Sequence, residues 1–253
     1  MRFGDDAQQV VALENIDLRI SSGEFVCLLG PSGCGKSTLL NLIAGFLLPT
    51  AGTVAVDGTA VSAPGPDRGM VFQEYALFPW MTVAENIAFG LRVKGMPRAA
   101  ITARVDELLR LLGLAEFRAR FPKDLSGGMR QRVAIARVLA IDSPVLLMDE
   151  PFGALDALTR RTLQDELLRL WQRMHKTVVF VTHSIEEAIY LADRVVVMTY
   201  RPGTIKRDQR IDLPRPRDPA STEFNALKRE LAILVTTEQE RHVESERRGI
   251  AVD

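Results

Sequence analysis

Three short stretches hold residue types that can manage a polyphosphate. Gly30-Pro31-Ser32-Gly33-Cys34-Gly35-Lys36-Ser37-Thr38 fits the pattern G-x-x-x-x-G-K-[ST] and lies between a short apolar run and an apolar helix. Its glycines let successive N–H groups turn toward phosphate oxygens. The helix start adds partial positive charge, Lys36 neutralises β and γ oxygens, and Ser37 offers a hydroxyl to Mg²⁺. In Val145-Leu146-Leu147-Met148-Asp149-Glu150-Pro151 an apolar strand delivers two acids to its carboxyl edge, where parallel sheets bind ligands. Asp149 suits a Mg²⁺ shell, and Glu150 suits a general base that polarises an attacking water. Leu125-Ser126-Gly127-Gly128-Met129-Arg130-Gln131-Arg132 opens a helix with a serine cap and two glycines, a second anion-accepting helix start. Two cradles leave two arrangements open: the chain folds back onto one nucleotide, or two copies dimerise head to tail around two shared ones.

Alternating strands and helices must position these residues. Phe25-Val26-Cys27-Leu28-Leu29, Val145 to Met148, Val178 to Val181 and Val195 to Met198 are continuous apolar runs, as expected of parallel strands buried on both faces. Val11, Leu13, Ile16, Leu18 and Ile20 nearly alternate with polar residues and predict a half-buried strand over residues 10 to 20. Helical spacing predicts helices over Thr159 to His175 and Ser184 to Ala192, with Ser184 and Glu187 spaced as a capping box. The pattern is that of a doubly wound α/β core. Between residues 82 and 140 strand signals give way to helical ones. Thr82 and Glu85 are spaced as a capping box ahead of Asn86 to Val93, and a helix with Ile101, Val105, Leu108, Leu109 and Leu112 on one face should stop at Gly113. The stretch from Arg201 to Pro219 mixes Pro, Arg and Asp, and a helical pattern resumes from Phe224 to Val235.

Composition narrows the function classes. The chain has 253 residues, 47% of them apolar, and 32 basic residues balance 32 acidic ones. That composition excludes disorder and a disulfide scaffold, and the neutral balance argues against nucleic acid as a partner. The cysteines, Cys27 and Cys34, fit a reducing compartment. No apolar run approaches the ~18 residues that span a bilayer, so work at a membrane would need a partner. Cys34 sits inside the phosphate loop, which predicts that a thiol reagent blocks nucleotide binding and that prior ATP protects.

The order of these motifs resembles the ATP-binding subunits of ABC transporters over nearly the whole chain: the phosphate loop at Gly30 to Thr38, Gln73, the signature Leu125 to Gln131, the acid strand ending Asp149-Glu150, Ala154-Leu155-Asp156, and His183. The resemblance implies a P-loop NTPase (RecA-like) α/β core at 1–81 and 141–218. An α-helical subdomain at 82–140, a small antiparallel β region and a C-terminal helical tail at 219–253 complete the single domain it implies. It also implies roles. Glu150, His183 and Gln73 would serve catalysis, with Ser37, Gln73 and Asp149 around Mg²⁺. Ser126, Gly127, Gly128 and Gln131 would close over the ATP held by Gly30, Pro31, Ser32, Gly33, Cys34, Gly35, Lys36, Ser37 and Thr38 of a second copy, and Asp156 would cross the dimer seam. Transmembrane permease subunits would dock near Gln73 on the cytoplasmic face, with an extracytoplasmic solute-binding protein acting indirectly. Val71 to Trp80, Thr182 to Ala188 and Arg201-Pro202-Gly203 are similar in wording to the importers of nitrate, aliphatic sulfonates and taurine. A soluble ATPase of the same type without a permease shares every motif. Family members usually place a strand before the aromatic residue that stacks on adenine; here Phe3 is the only aromatic in that region, so either Phe3 stacks on the base or the base is held loosely.

Overall fold

The computed structural model describes residues 1–4 and 10–250, with side chains described up to residue 244. Along the chain the elements are β1 (Arg2–Phe3), β2 (Val10–Val11), β3 (Phe25–Leu29), α1 (Lys36–Ala44), β4 (Ala55–Val56), β5 (Thr59–Ala60), β6 (Arg68–Val71), α2 (Val83–Val93), α3 (Arg98–Leu111), α4 (Gly127–Ala140), β7 (Val145–Asp149), α5 (Ala157–Met174), β8 (Thr177–Thr182), α6 (Ile185–Leu191), β9 (Arg194–Met198), β10 (Ile205–Arg210) and α7 (Thr222–Ile250). They group into two compact units, Met1–Pro64 with Thr177–Asp253, and Gly65–Lys176. The helical stretch 82–140 lies wholly in the second, together with β6, β7 and α5.

In the first unit the strands run in the order β10-β9-β3-β8. β3 pairs in parallel with β8 and β9, and every residue of β3 is buried, which explains its unbroken apolar sequence. Phe25 and Phe180 meet with ring centroids 5.9 Å apart. β10 pairs antiparallel with β9, a strand that the mixed Pro, Arg and Asp composition of residues 201–219 concealed. Its residues are half-buried or exposed, so no apolar alternation marks it. Two short antiparallel pairs, β1 with β2 and β4 with β5, complete the small β region.

The expected strand over residues 10–20 is shorter than its alternation suggests. Only Val10–Val11 forms a ladder, followed by a single bridge from Leu13 to Gly203. Residues 16–20 still alternate between half-buried and exposed. Alternation is a property of an extended chain and does not require a hydrogen-bonded neighbour.

In the second unit β6 pairs in parallel with β7, and α4 lies against α2 and β6. The Thr82 capping box forms in full: the Thr82 hydroxyl accepts from the Glu85 N–H, and Glu85 accepts from the Thr82 N–H at 2.8 Å. Those bonds hold the Glu85 carboxyl below the ordinary carboxylate range. α3 ends as expected just before Gly113, at a φ of 64°.

Arg217 fastens the end of α6 in the first unit. Its buried guanidinium donates to the carbonyls of Ala192 (2.6 Å), Leu213 (3.0 Å) and Ile211 (3.1 Å), and also to that of Ile189. Burial and the neighbouring Arg215 lower its pKa to about 10, so it stays charged at neutral pH. Arg217→Ala strands several buried carbonyls and should cost roughly 3 kcal/mol of stability. Urea unfolding checks this: the midpoint should fall with the slope unchanged, and an unmoved midpoint refutes the role given to Arg217.

Candidate nucleotide site

β3 ends at Leu29 and α1 begins at Lys36, so the phosphate loop is the connection between a buried strand and a helix N-terminus. Gly33 and Gly35 occupy the left-handed region, φ 75° and 97°, which turns successive N–H groups toward one side of the loop. The start of α1 has no side-chain cap, since Gly35 at the N-cap position has no side chain to offer. A helix start without a side-chain cap can receive an anion at its first turn. Lys36 is almost fully buried, and its Nζ folds back to donate to the carbonyls of Gly30 and Pro31, both at 2.8 Å. An uncapped helix start beside a buried ammonium fits a multiply charged phosphate and little else.

The thiol of Cys34 points into the loop. It is buried, it lies 3.8 Å from the Lys36 Nζ, and it fills the space that a side chain at Gly30 would need. Burial raises its pKa, and the neighbouring Lys36 only partly offsets that. This alters the expectation that the thiol is open to a reagent, since it packs inward against Gly30 and Lys36.

His183 follows β8 and is exposed. Its position rests on a network that the sequence spacing partly misread. The Ser184 hydroxyl does accept from the Glu187 N–H, but the Glu187 carboxylate does not return to the Ser184 N–H. Instead it accepts from the Thr182 hydroxyl at 2.6 Å, and the Thr182 hydroxyl accepts from the Ser184 N–H at 3.0 Å. Both residues flanking His183 are thus tied to buried Glu187, which fixes the main chain that presents the imidazole. Phe3 lies in β1 with a partly exposed side chain, and β1 pairs with β2.

In the second unit β7 delivers Asp149 and Glu150, both half-buried, and Glu150 adopts a φ of 41°. For a non-glycine residue such a backbone is costly and is often kept where function requires it. Arg160 fastens the turn beyond, donating to the carbonyls of Phe152 (3.3 Å) and Leu155 (2.8 Å). Asp156 caps α5, accepting from the Thr159 N–H at 3.0 Å, and these bonds hold its carboxyl below the usual range.

β6 leads to Gln73, which is exposed. Residues after it are held by side chains that spacing alone did not single out. Arg137 donates to the carbonyls of Ala76 (2.7 Å) and Tyr75 (3.3 Å) and lies over the Phe78 ring, and Arg130 lies over Tyr75. Fully buried Asn86 accepts from the Phe78 N–H and donates to the Phe78 and Met81 carbonyls. Polar residues on helix faces otherwise read as apolar were the available signal. The Ser126 hydroxyl caps α4 by accepting from the Met129 N–H at 3.3 Å. Gly128 has a packing reason to be glycine, since a Cβ there would come within 2.6 Å of the Thr159 methyl. Gln131, on the same helix, is fully buried.

The serine hydroxyl of Ser37 and the carboxylate of Asp149 are each hard oxygen donors of the kind Mg²⁺ accepts.

Residues 13–153 match the family model described as ABC transporter. The chain is 52% identical over 93% of its length to an uncharacterised ABC transporter ATP-binding protein of Methanocaldococcus jannaschii, of which 88% is covered. It is 51% identical to a nitrate import ATP-binding protein of Synechocystis over 87% of this chain and 83% of that one. To a taurine import ATP-binding protein of Roseobacter denitrificans it is 50% identical over 83% of this chain and 79% of that one. Among solved structures it resembles a dimeric, post-hydrolysis ATP-binding cassette bound to ADP and Pi, with a TM-score of 0.74 and 35% identity over 84% of this chain and 96% of that one.

Burial of Cys34 and of Cys27, whose thiol burial also raises well above the ordinary value, leaves little thiolate at neutral pH. Neither should react with a bulky disulfide reagent at pH 7 on the time scale on which the urea-unfolded chain reacts fully. Rapid native labelling, read by absorbance, would contradict the inward placement of Cys34. The mixed α/β fold with its mainly parallel sheet, the loop-to-helix cradle and these matches establish that the chain belongs to the ABC transporter ATP-binding family and is an ATPase.

Proposed function

We propose that two copies bind two ATP molecules head to tail and hydrolyse them, and that this cycle powers import of nitrate, taurine or an aliphatic sulfonate through a membrane permease. The observation that carries the reading is the uncapped start of α1 with the Lys36 ammonium folded onto the loop beside it. Closed over ATP, the Ser126-Gly127-Gly128 start of α4 from the second copy faces the γ-phosphate, and Asp156 lies at the seam. Phe3 is the candidate for stacking on adenine. The solved dimeric cassette supports this assembly.

Phosphoryl transfer needs positioning and charge stabilisation more than covalent help. The loop N–H groups and Lys36 hold the β- and γ-phosphates. Ser37, Asp149 and Gln73 are the residues that would hold Mg²⁺, whose charge would offset that developing on those oxygens. Glu150 accepts the proton of the attacking water, and His183 orients that water against the γ-phosphate.

The permease docks near Gln73. Phe78 stacks near Trp80 and Phe89, with centroids 5.7 and 4.6 Å away, and Trp80 is 70% exposed. An exposed aromatic cluster held by Arg137 and Asn86 suits an apolar segment of a partner. Among the described residues no helix is long and apolar enough to cross a membrane. In this reading the aromatic surface holds the protein to a permease at the cytoplasmic face of the membrane. The relatives named for nitrate and taurine import support nitrate, taurine or an aliphatic sulfonate as the solute. An extracytoplasmic solute-binding protein would act indirectly, through the permease.

Glu150→Gln should retain ATP binding, lower turnover by about a hundredfold or more, and accumulate an ATP-dependent dimer in sedimentation. Turnover at the wild-type rate would remove Glu150 as the base. Trp80→Ala should leave basal hydrolysis intact and abolish co-purification with the permease, and undiminished co-purification would rule out the aromatic surface.

A further inference from the structure

The turn between β9 and β10 lies directly against the phosphate loop. Arg201 Nε donates to the Gly33 carbonyl at 3.3 Å. Gly203 approaches so closely that a Cβ there would stand 2.2 Å from the Cys34 carbonyl oxygen and 2.9 Å from Leu13. The Gly203 N–H donates to the Ala12 carbonyl at 2.9 Å, and the Gly203 carbonyl accepts from the Glu14 N–H at 3.0 Å. Thr199 closes the turn, its hydroxyl accepting from the Thr204 N–H at 2.9 Å and donating to the Pro202 carbonyl at 2.8 Å.

The other side of the turn is fastened to α7. Glu238 is fully buried, and its carboxylate accepts from the Tyr200 N–H (2.9 Å), the Lys206 ammonium (2.6 Å) and the Arg241 guanidinium (3.2 Å). The His242 ring lies 4.5 Å from that of Tyr200. One buried carboxylate on the C-terminal helix therefore grips the residue preceding Arg201, and Arg201 grips the loop. In a trans peptide the C=O and the following N–H point opposite ways. Holding the Gly33 carbonyl outward aims the Cys34 N–H inward, where it already points toward the Pro31 carbonyl at 3.4 Å.

We propose that Arg201 and Glu238 are positioning residues for ATP, through which α7 sets the affinity of the phosphate loop. The proposal rests on ATP binding at residues 30–38. Neither residue touches the reacting atoms, so their loss should weaken nucleotide binding and leave the chemical step nearly unchanged.

The test is equilibrium titration of the full chain with the fluorescent analogue TNP-ATP, together with kcat and KM for ATP. Arg201→Met should raise Kd and KM about fivefold and Glu238→Gln about threefold, with kcat held within about twofold. If the two act in series, the double variant should show about the fivefold effect of Arg201→Met alone, whereas independent effects multiply to about fifteenfold. Leu231→Ala, a buried apolar truncation on the same helix, should lower Tm without moving Kd. An unchanged Kd in Arg201→Met, a multiplicative double variant, or a Kd shift in Leu231→Ala equal to that of Glu238→Gln would each overturn the proposal. Failure of the underlying reading looks different: the wild-type chain would not bind TNP-ATP, or Lys36→Ala would bind it as well as wild type.

Discussion

Everything at the site depends on placing a positive charge where water is scarce and facing it with main-chain carbonyls and a thiol. Lys36 is nearly buried at the first position of α1, and the groups it meets are the carbonyls of Gly30 and Pro31 together with the Cys34 thiol. Carbonyl dipoles hold an ammonium in place without cancelling its charge. The potential at the helix start is therefore left for phosphate to neutralise. A carboxylate in their place would have made a stable ion pair and a poor nucleotide site. The arrangement requires a strand that cannot shift, and β3 meets that requirement because it is flanked on both sides and buried along its length.

The second unit solves a different problem. Gln73, Glu150 and Asp156 lie in or beside turns, and turns are the parts of a fold most able to move. Two of these segments are tied down by a side chain reaching for main-chain carbonyls: Arg137 for the one after Gln73, Arg160 for the turn between Glu150 and Asp156. Charged donors on helices hold loops by carbonyl oxygens, which fixes backbone position and leaves the loop's own side chains available. Asn86 does the same from α2.

Motifs whose chemistry depends on local spacing were legible from residue order. The phosphate loop, the acid strand and the Thr82 capping box each need only neighbours in sequence, and the matching elements lie where the spacing puts them. Reading failed where the decisive partner is distant. β10 is an edge strand of polar residues whose only reason to exist is β9. The Ser184 box is broken because Thr182 competes for Glu187, and spacing cannot weigh one hydroxyl against a main-chain N–H.

The same distinction explains why the C-terminal helix carried no signal beyond its apolar spacing. The charged residues from Glu238 onward have the spacing of a solvated face, and among the described ones Glu240, Arg241 and Glu244 are exposed. Glu238 differs from its neighbours only because β9 and β10 leave the Tyr200 N–H and the Lys206 ammonium facing it. Burial by itself would raise its pKa, but those partners more than reverse that and hold it below the ordinary carboxylate range. A group whose folded pKa is depressed contributes stability above its unfolded pKa and loses it as pH falls through the folded value. Acid should therefore loosen the attachment of α7 to the turn beside the phosphate loop, so the grip on that loop is conditional on a single carboxylate remaining charged.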